Sequence, residues 1–477
     1  MSITRHQYEV YIRATPEQVW EAVREELLGP QRASWVWGLH TAMTGSLLDD
    51  MTGDNLLGLL DLEGPEALLI DLARRGQEVA ADSWTRTAAL EVVSVPVIDV
   101  TNTATDDLHT GIQRVVRETV PRWAQTHECE LLVLDRSGKA FRRCSALERA
   151  RVLTWPPDAE LRAAEEPVPD TVVLPWRTLV VHPEVASVQN ADLLRGIAAH
   201  SGSELNALVY DLTPFTRAEN ITTQLPLRFG RYMSAMKYAS RVSAISDTVA
   251  HEFDAYFGAL ASQGLPSPRV RPHRLPLEAP ALAGLDLAQG AADLGIDPDV
   301  PLVLSVSALG QRKNHLRTLE AAEHLWREGL QFQLVFIAGQ DSGWEAFNTA
   351  VDHARDKGRL VRVLPEVDEA TLWAAYLAAR CTVYVSLVEG YGLPAAESLS
   401  VGTPVVLTGY GSMAEIGAEG GALMVDPRDV DDIAAALRVV LTDDAKHAEL
   451  AAAARERPRT SWDDYARRTW GWLVEGS

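Results

Sequence analysis

The segment Glu389-Gly-Tyr-Gly-Leu-Pro-Ala-Ala-Glu397 sets two carboxylates on either side of a Gly-x-Gly turn and a proline. It follows an apolar run, Cys381-Thr-Val-Tyr-Val-Ser-Leu, that reads as a buried strand. Gly390 and Gly392 permit a tight turn at the strand's carboxyl end, the edge at which α/β sheets bind ligands. Pro394 suits a first helical turn, whose free N–H groups face an anion. Glu389 then stands at the strand end and Glu397 about one turn into the helix. Two readings stand for the pair. They are acceptors for sugar and ribose hydroxyls, or Glu397 only complements the helix dipole, worth less than ~1 kcal/mol.

A second chemical feature is the loop Ala308-Leu-Gly-Gln-Arg-Lys-Asn-His315, which follows the apolar run Pro301–Ser307. Arg312 and Lys313 suit a diphosphate. An isolated Arg-Lys pair is ordinarily a solvated surface. This one falls on the same edge of the same expected sheet as Glu389, and that placement favours the diphosphate.

The elements that must position these groups alternate between short apolar runs and helical patterns, the mark of βαβ units. Strands are expected at Pro96–Thr101, Glu130–Leu134, Thr178–His182, Leu205–Asp211 and Arg241–Ser246. A polar loop should follow the first of these, and a helix should then begin at Gly111. Further helices are expected at Leu227–Ala239 and from Asp247. A second series runs through strands Pro301–Ser307, Phe332–Ala338, Leu360–Leu364, Thr382–Leu387, Thr403–Leu407 and Ala422–Val425, enough for a complete doubly wound domain. The implied organisation is a mostly helical extension (1–90), a Rossmann-like domain (91–277), a linker (278–300), a second Rossmann-like domain (301–455) and a terminal helix (456–477). Thr15 and Pro16 have the types of an N-cap and first helical residue. The phrase Tyr11-Ile-Arg-Ala-Thr-Pro-Glu-Gln-Val-Trp is similar to the opening of helix-grip proteins, a pattern that nothing after it continues.

Composition narrows the class. The chain has 477 residues and a net charge of -22, which argues against general nucleic-acid binding. No apolar run reaches the ~18 residues of a membrane span. His6, Glu9 and Arg13 interrupt the stretch that a secretory signal would need. A cytoplasmic location without a transmembrane segment is the expectation. Cys129, Cys144 and Cys381 form no metal-ligand spacing.

Together these segments resemble the retaining GT-B glycosyltransferases of the family 4 type. Their donor domain carries an Arg-Lys-Asn loop and a Glu-x7-Glu motif, followed by segments like Gly402-Thr-Pro-Val-Val-Leu, Gly411-Ser-Met-Ala-Glu-Ile and Val425-Asp-Pro here. Val209-Tyr-Asp-Leu-Thr-Pro-Phe, Ile245-Ser-Asp and Ser461-Trp462 match looser segments of the same family. The resemblance implies an α/β fold of two Rossmann-like domains facing across a cleft. It implies transfer of a hexose-type sugar from a GDP-, UDP- or dTDP-sugar to a glycan, lipid-linked or small-molecule acceptor, with retention. The alternative is a non-catalytic module that binds the nucleotide sugar as a sensor or scaffold.

Carried onto this sequence, the resemblance puts Arg312 and Lys313 on the diphosphate, Glu389 on the transferred sugar and Glu397 on the ribose. Backbone N–H groups of Gly392 and Leu393 would face phosphate or sugar, and Thr110 and Gly111 would reach in from the first domain. Two positions depart from the family: Ser307 stands where many relatives have Arg, and Tyr210 where they commonly have His. No cofactor and no metal are expected. Asp297-Pro-Asp299 precedes a strand and Asp429-Val-Asp431 begins a helix, where Asp serves as a cap. Gly409-Tyr-Gly-Ser-Met-Ala fits a dinucleotide-binding pattern but follows a late strand instead of opening the first βα unit. Of His182, His273 and His315, only His315 lies close to the cationic loop.

Overall fold

Apolar runs without alternation form strands covered on both faces, and two sheets are built from them. The computed structural model describes residues 15–80, 89–107, 110–163, 171–216, 224–339, 345–365 and 367–477. The first sheet contains β1 (Leu90–Val93), β2 (Val97–Asp99), β3 (Glu130–Leu134), β4 (Phe141–Arg143), β5 (Val172–Pro175), β6 (Leu179–His182), β7 (Glu204–Val209), β8 (Arg241–Ala244) and β9 (Arg269–Pro272). Their order is β1-β5-β4-β3-β2-β6-β7-β8-β9. All neighbours are parallel except β4, which runs antiparallel to both β3 and β5. The short β4 and β5 escape a sequence reading because each offers too few residues for a period.

The second sheet contains β10 (Leu302–Val306), β11 (Gln333–Ile337), β12 (Val361–Leu364), β13 (Cys381–Tyr384), β14 (Val405–Thr408) and β15 (Ala422–Val425). It is wholly parallel, in the order β12-β11-β10-β13-β14-β15. Crossovers from β10 leave on one side and those from β13 on the other. The carboxyl ends of these two strands therefore splay apart into a crevice, the usual ligand site of an open α/β sheet. The first sheet has the same reversal between β2 and β6.

The amino-terminal extension is helical as expected, with helices Pro16–Leu28, Arg32–Thr44, Asp50–Glu63 and Pro65–Ala80. Thr15 caps the first of these in a capping box closed by Gln18. The helix-grip phrase begins on residues 11–14, outside the described residues, and its last six residues form the cap and start of the first helix. Leu27, Trp37, Leu48 and Leu56 of the extension join the same apolar core as the first sheet. One close contact fixes this docking: a side chain at Gly196, in the helix Val188–His200, would collide with the Leu48 carbonyl. Strand β1 begins at Leu90, so the sheet claims the last residue assigned to the extension.

The loop expected after β2 is instead a short helix, Thr101–Thr105. The Glu184 carboxylate accepts from the N–H groups of Asn102 (2.8 Å) and Thr103 (2.7 Å), which nucleates the turn. The linker holds a helix, Leu287–Asp293, packed against Glu369–Ala378. The last helix, Trp462–Trp470, returns to the first half and packs on Gly111–Thr126. Trp123 donates its indole N–H to the Ala466 carbonyl at 2.8 Å, and Trp470 stacks on His127 at 4.1 Å. Among the described residues no helix is long and apolar enough to cross a membrane. Because Trp470 is buried where the chain closes on itself, Trp470→Ala is expected to cost ~3–5 kcal/mol of stability, the range for a buried Trp→Ala change. Urea unfolding measures it, and a midpoint equal to the parent's would contradict the packing role.

Candidate functional site

The cationic loop owes its shape to Asn314. A turn at Gln311–Lys313 ends on Asn314, which adopts φ 63°, a left-handed conformation that Asn tolerates. Its amide donates to the carbonyls of Val385 (3.1 Å) and Pro427 (2.6 Å), tying the loop to the ends of neighbouring strands. The Leu387 N–H donates to the Arg312 carbonyl at 2.7 Å. Arg312 and Lys313 are thereby delivered from β10 into the crevice beside β13.

Glu389 meets them there. Arg312 donates from Nη1 to Glu389 Oε2 at 2.8 Å, and the Lys313 ammonium donates to Oε1. Lys313 also donates to the Tyr384 hydroxyl at 3.0 Å. Burial alone would push the Glu389 carboxyl upward, but Lys313 and Arg312 more than offset this and hold it at about 2. Burial lowers Lys313 in turn, against the pull of Glu389. We assign all three as charged at neutral pH, because each cation is a counter-ion of Glu389; the buried Asp211 carboxyl, pushed up by burial, also faces Arg312.

Glu397 lies in the helix Leu393–Ser400 and is buried. The Tyr376 hydroxyl donates to its Oε2 at 2.6 Å, and Arg114 of the first half pairs with Oε1. The helix starts after Gly392, whose φ of 123° lies in the region that favours glycine. Gly390 is required for a different reason. A Cβ there would lie 2.2 Å from the Tyr210 carbonyl, so the two halves touch through bare backbone.

Further contacts cross at the same place. Ser246 donates to the Gly390 carbonyl at 2.8 Å. Glu415 accepts from the N–H groups of Asp247 (3.0 Å) and Thr248 (2.6 Å), capping a first-half helix from the second half. The Tyr391 hydroxyl donates to the Leu275 carbonyl at 2.6 Å.

Between these contacts runs a cleft of about 550 Å³, within the usual range for small-molecule sites. Its lining includes Arg312, Lys313, Glu389, Glu397, Gly392 and Leu393 from the second half, with Ser307 beside them. Thr110, Gly111 and Tyr210 line it from the first half. Every residue singled out in the sequence as a site candidate is thus brought to one cavity.

The two departures from the family have visible consequences. Tyr210 is buried and spends its hydroxyl on the Pro183 carbonyl at 2.6 Å. Ser307 bonds His315 Nε2 at 3.0 Å, and His315 is pushed down to about 4 by burial and by Lys313, so it is neutral at pH 7. His315 adds no charge to the cationic loop.

Arg114, Tyr376, Tyr384 and Asp211 line or support the same cleft and were not singled out in the sequence. For Arg114 a signal existed, since it follows Gly111 by one helical turn. A buried group lies behind the first-half wall, at the reversal between β2 and β6. His182 Nδ1 lies 3.0 Å from Asp99 Oδ2, and burial and the Asp99 charge push Glu184 up to about 7. The Asp-x-Asp triplets cap local turns: Asp297 accepts from Asp299 N–H at 3.0 Å and Asp429 from Asp431 N–H at 2.9 Å.

The Glu389 cluster carries a pH signature. A carboxyl depressed on folding stabilises the protein above its unfolded value of 4.5, and this is lost as pH falls toward about 2. Glu389→Gln leaves two cations unpaired, so at pH 7 it should cost ~3–5 kcal/mol, as for a broken buried ion pair. The deficit relative to the parent should shrink as pH drops through that window. Denaturant unfolding of both proteins across acid pH measures it, and a constant deficit would contradict the charged assignment.

The chain is similar to known proteins in sequence and in fold. Residues 290–457 match the family model described as "Glycosyl transferases group 1". The serotype-specific mannosyltransferase WbdA of Escherichia coli is 25% identical over 343 residues, 68% of this chain and 40% of that protein. The O-antigen chain mannosyltransferase B of Escherichia coli is 32% identical over 169 residues, 35% of this chain and 44% of that protein. The chain therefore spans less than half the length of these curated relatives. Among solved structures, sucrose-phosphate synthase from Thermosynechococcus elongatus superposes with a TM-score of 0.57 at 17% identity, covering 81% of this chain and 100% of that one. That likeness shows the fold, the two-domain GT-B architecture.

Proposed function

We infer, from a second half that matches the glycosyl transferases group 1 family, that the chain is a retaining glycosyltransferase of the family 4 type. It transfers a hexose-type sugar from a nucleoside diphosphate sugar to an acceptor hydroxyl. The observation that carries this reading is the meeting of Arg312, Lys313, Glu389 and Glu397 with a helix start in one inter-sheet cleft. A glycan, a lipid-linked molecule or a small molecule serves as acceptor. The mannosyltransferase names of two matched relatives make mannose the first hexose to test.

In this reading the diphosphate oxygens compete with Glu389 for Arg312 and Lys313. As the glycosidic bond breaks, negative charge grows on the leaving diphosphate, and the two cations and the N–H groups near Pro394 stabilise it. Glu389, released from its cations, accepts from a sugar hydroxyl and favours the oxocarbenium-like centre. A diphosphate oxygen takes the acceptor's proton on the same face, which gives retention. Glu397 exchanges Arg114 for the ribose diol. Tyr210 supplies a wall and no sugar hydrogen bond, because its hydroxyl is committed to Pro183.

Four measurements test the assignment. Arg312→Ala and Lys313→Ala should each weaken nucleoside diphosphate binding by ~1–3 kcal/mol in calorimetry, the range for charge-assisted hydrogen bonds; unchanged affinity would sink the cation role. Because Arg312 and Lys313 can supply the charge that a metal would, transfer should survive EDTA, and loss of activity restored by Mn²⁺ would refute that. Glu389→Gln should lower turnover at least about tenfold, or ~1.4 kcal/mol, without weakening diphosphate binding, because it frees both cations for the diphosphate. Glu397→Gln should weaken bare diphosphate and full donor alike. Binding effects with no turnover in the parent, on any acceptor or on water, would mark a binding module instead.

A further inference from the structure

Among the described residues, Arg114 is the one Lys or Arg that the first half brings to the cleft. It stands in the first turn of the helix Gly111–Thr126, a turn that holds no acidic residue. A positive charge is disfavoured at that end of a helix, where free N–H groups already carry partial positive charge. A carboxylate of the other half holds it there: Arg114 Nη1 donates to Glu397 Oε1, across 283 residues of chain. The guanidinium is not sealed in. Its side chain is 21% exposed and lines the cavity.

Glu397 is engaged on both oxygens, since the buried Tyr376 donates to Oε2 at 2.6 Å while Arg114 takes Oε1. A ribose diol seated on Glu397 offers hydroxyl donors and no charge. It satisfies the carboxylate but leaves the Arg114 guanidinium without a counter-ion, at a helix start that repels it. The other carboxyl groups of the cleft are already faced by cations. Glu389 pairs with Arg312 and Lys313, and Asp211 faces Arg312. An unpaired charge in a partly buried site is costly. The anion that arrives with the ribose is the diphosphate, whose first phosphate hangs from the same ring by one methylene.

We propose that Arg114 is a third diphosphate cation, held on Glu397 until the ribose displaces it and then taken up by the diphosphate. The inference rests on the glycosyltransferase reading of the cleft and assigns the residue a role in that reaction. Arg312 and Lys313 grip the diphosphate from the second half and Arg114 from the first, so the leaving group is fully stabilised only with both halves in place. When the glycosidic bond breaks, its electron pair ends on a diphosphate oxygen, and a planar guanidinium matches phosphate oxygens at two points. The acceptor oxygen forms the new bond, and its proton passes to the diphosphate. An anion without a ribose leaves Arg114 on Glu397 and gains only two cations.

Calorimetry on the full chain with UDP, GDP and dTDP, each beside its own nucleoside, tests this. Arg114→Ala should weaken a diphosphate that the parent binds by about tenfold, as for the loss of a charge-assisted hydrogen bond. The matching nucleoside should bind as in the parent or more tightly, because Glu397 has lost a competitor. Arg114→Lys keeps the charge and should restore most of the diphosphate affinity. Equal or tighter diphosphate binding by Arg114→Ala overturns the proposal and makes the residue a plain lock on Glu397. Parallel weakening of diphosphate and nucleoside overturns it as well, since a structural role acts on both. If Arg312→Ala/Lys313→Ala bound every diphosphate as the parent does, the cleft reading itself would fall. Loss in that variant without loss in Arg114→Ala would spare the reading and sink only the role of Arg114.

Discussion

A carboxylate buried between two cations is the interaction on which the second half is arranged. Glu389, Arg312 and Lys313 come from the ends of β13 and β10, which diverge because the sheet reverses its winding there. Removing such charges from water is costly, and mutual pairing repays the cost only with close geometry. The left-handed Asn314, its two amide hydrogen bonds and the bare backbone at Gly390 supply that geometry. With Asp211 beside Arg312 in the same cleft, the two cations already face two carboxyl groups, and a diphosphate would have to compete with these for them. Structure and ligand thus compete for the same two side chains.

The halves are joined by polar contacts to backbone as well as by shared apolar packing. Glu415 and Ser246 cap or anchor across the boundary, and Gly390 lies against the Tyr210 carbonyl. Hydrogen bonds of this kind contribute on the order of 1 kcal/mol net, since water replaces them when they part. Apolar packing is also continuous across the boundary, because Tyr391, Met413 and Ile416 of the second half belong to the same core as the first sheet.

The sequence displayed the second half more fully than the first. Each strand there is a compact apolar run, and the chemistry sits at strand ends, where turn residues announce it. Glu389, Arg312 and Lys313 could be placed by that grammar alone. Arg114 and Tyr376 could not be linked to Glu397, because those contacts depend on how separate segments pack, and the Arg114 pair spans 283 residues. Tyr210 was legible as a position but not as a direction, for nothing local reveals that its hydroxyl turns to Pro183. Strands β1, β4, β5 and β9 were missed because each is three or four residues long and becomes a strand only by pairing with its neighbours in the sheet. The helix at Thr101 was missed because its cap, Glu184, arrives from a distant strand end.

The central claim is that this cleft holds a nucleoside diphosphate sugar and breaks its glycosidic bond. A thermal-shift screen of UDP-, GDP- and dTDP-sugars, followed by assay of nucleoside diphosphate release with any hit, tests it most directly. Binding to the folded state alone at about 100 times Kd adds ~2.7 kcal/mol, so a true donor should raise the midpoint by a clear margin. At least one of these sugar nucleotides should shift the transition and slowly yield free diphosphate in water. No shift with any of them at millimolar concentration would contradict it.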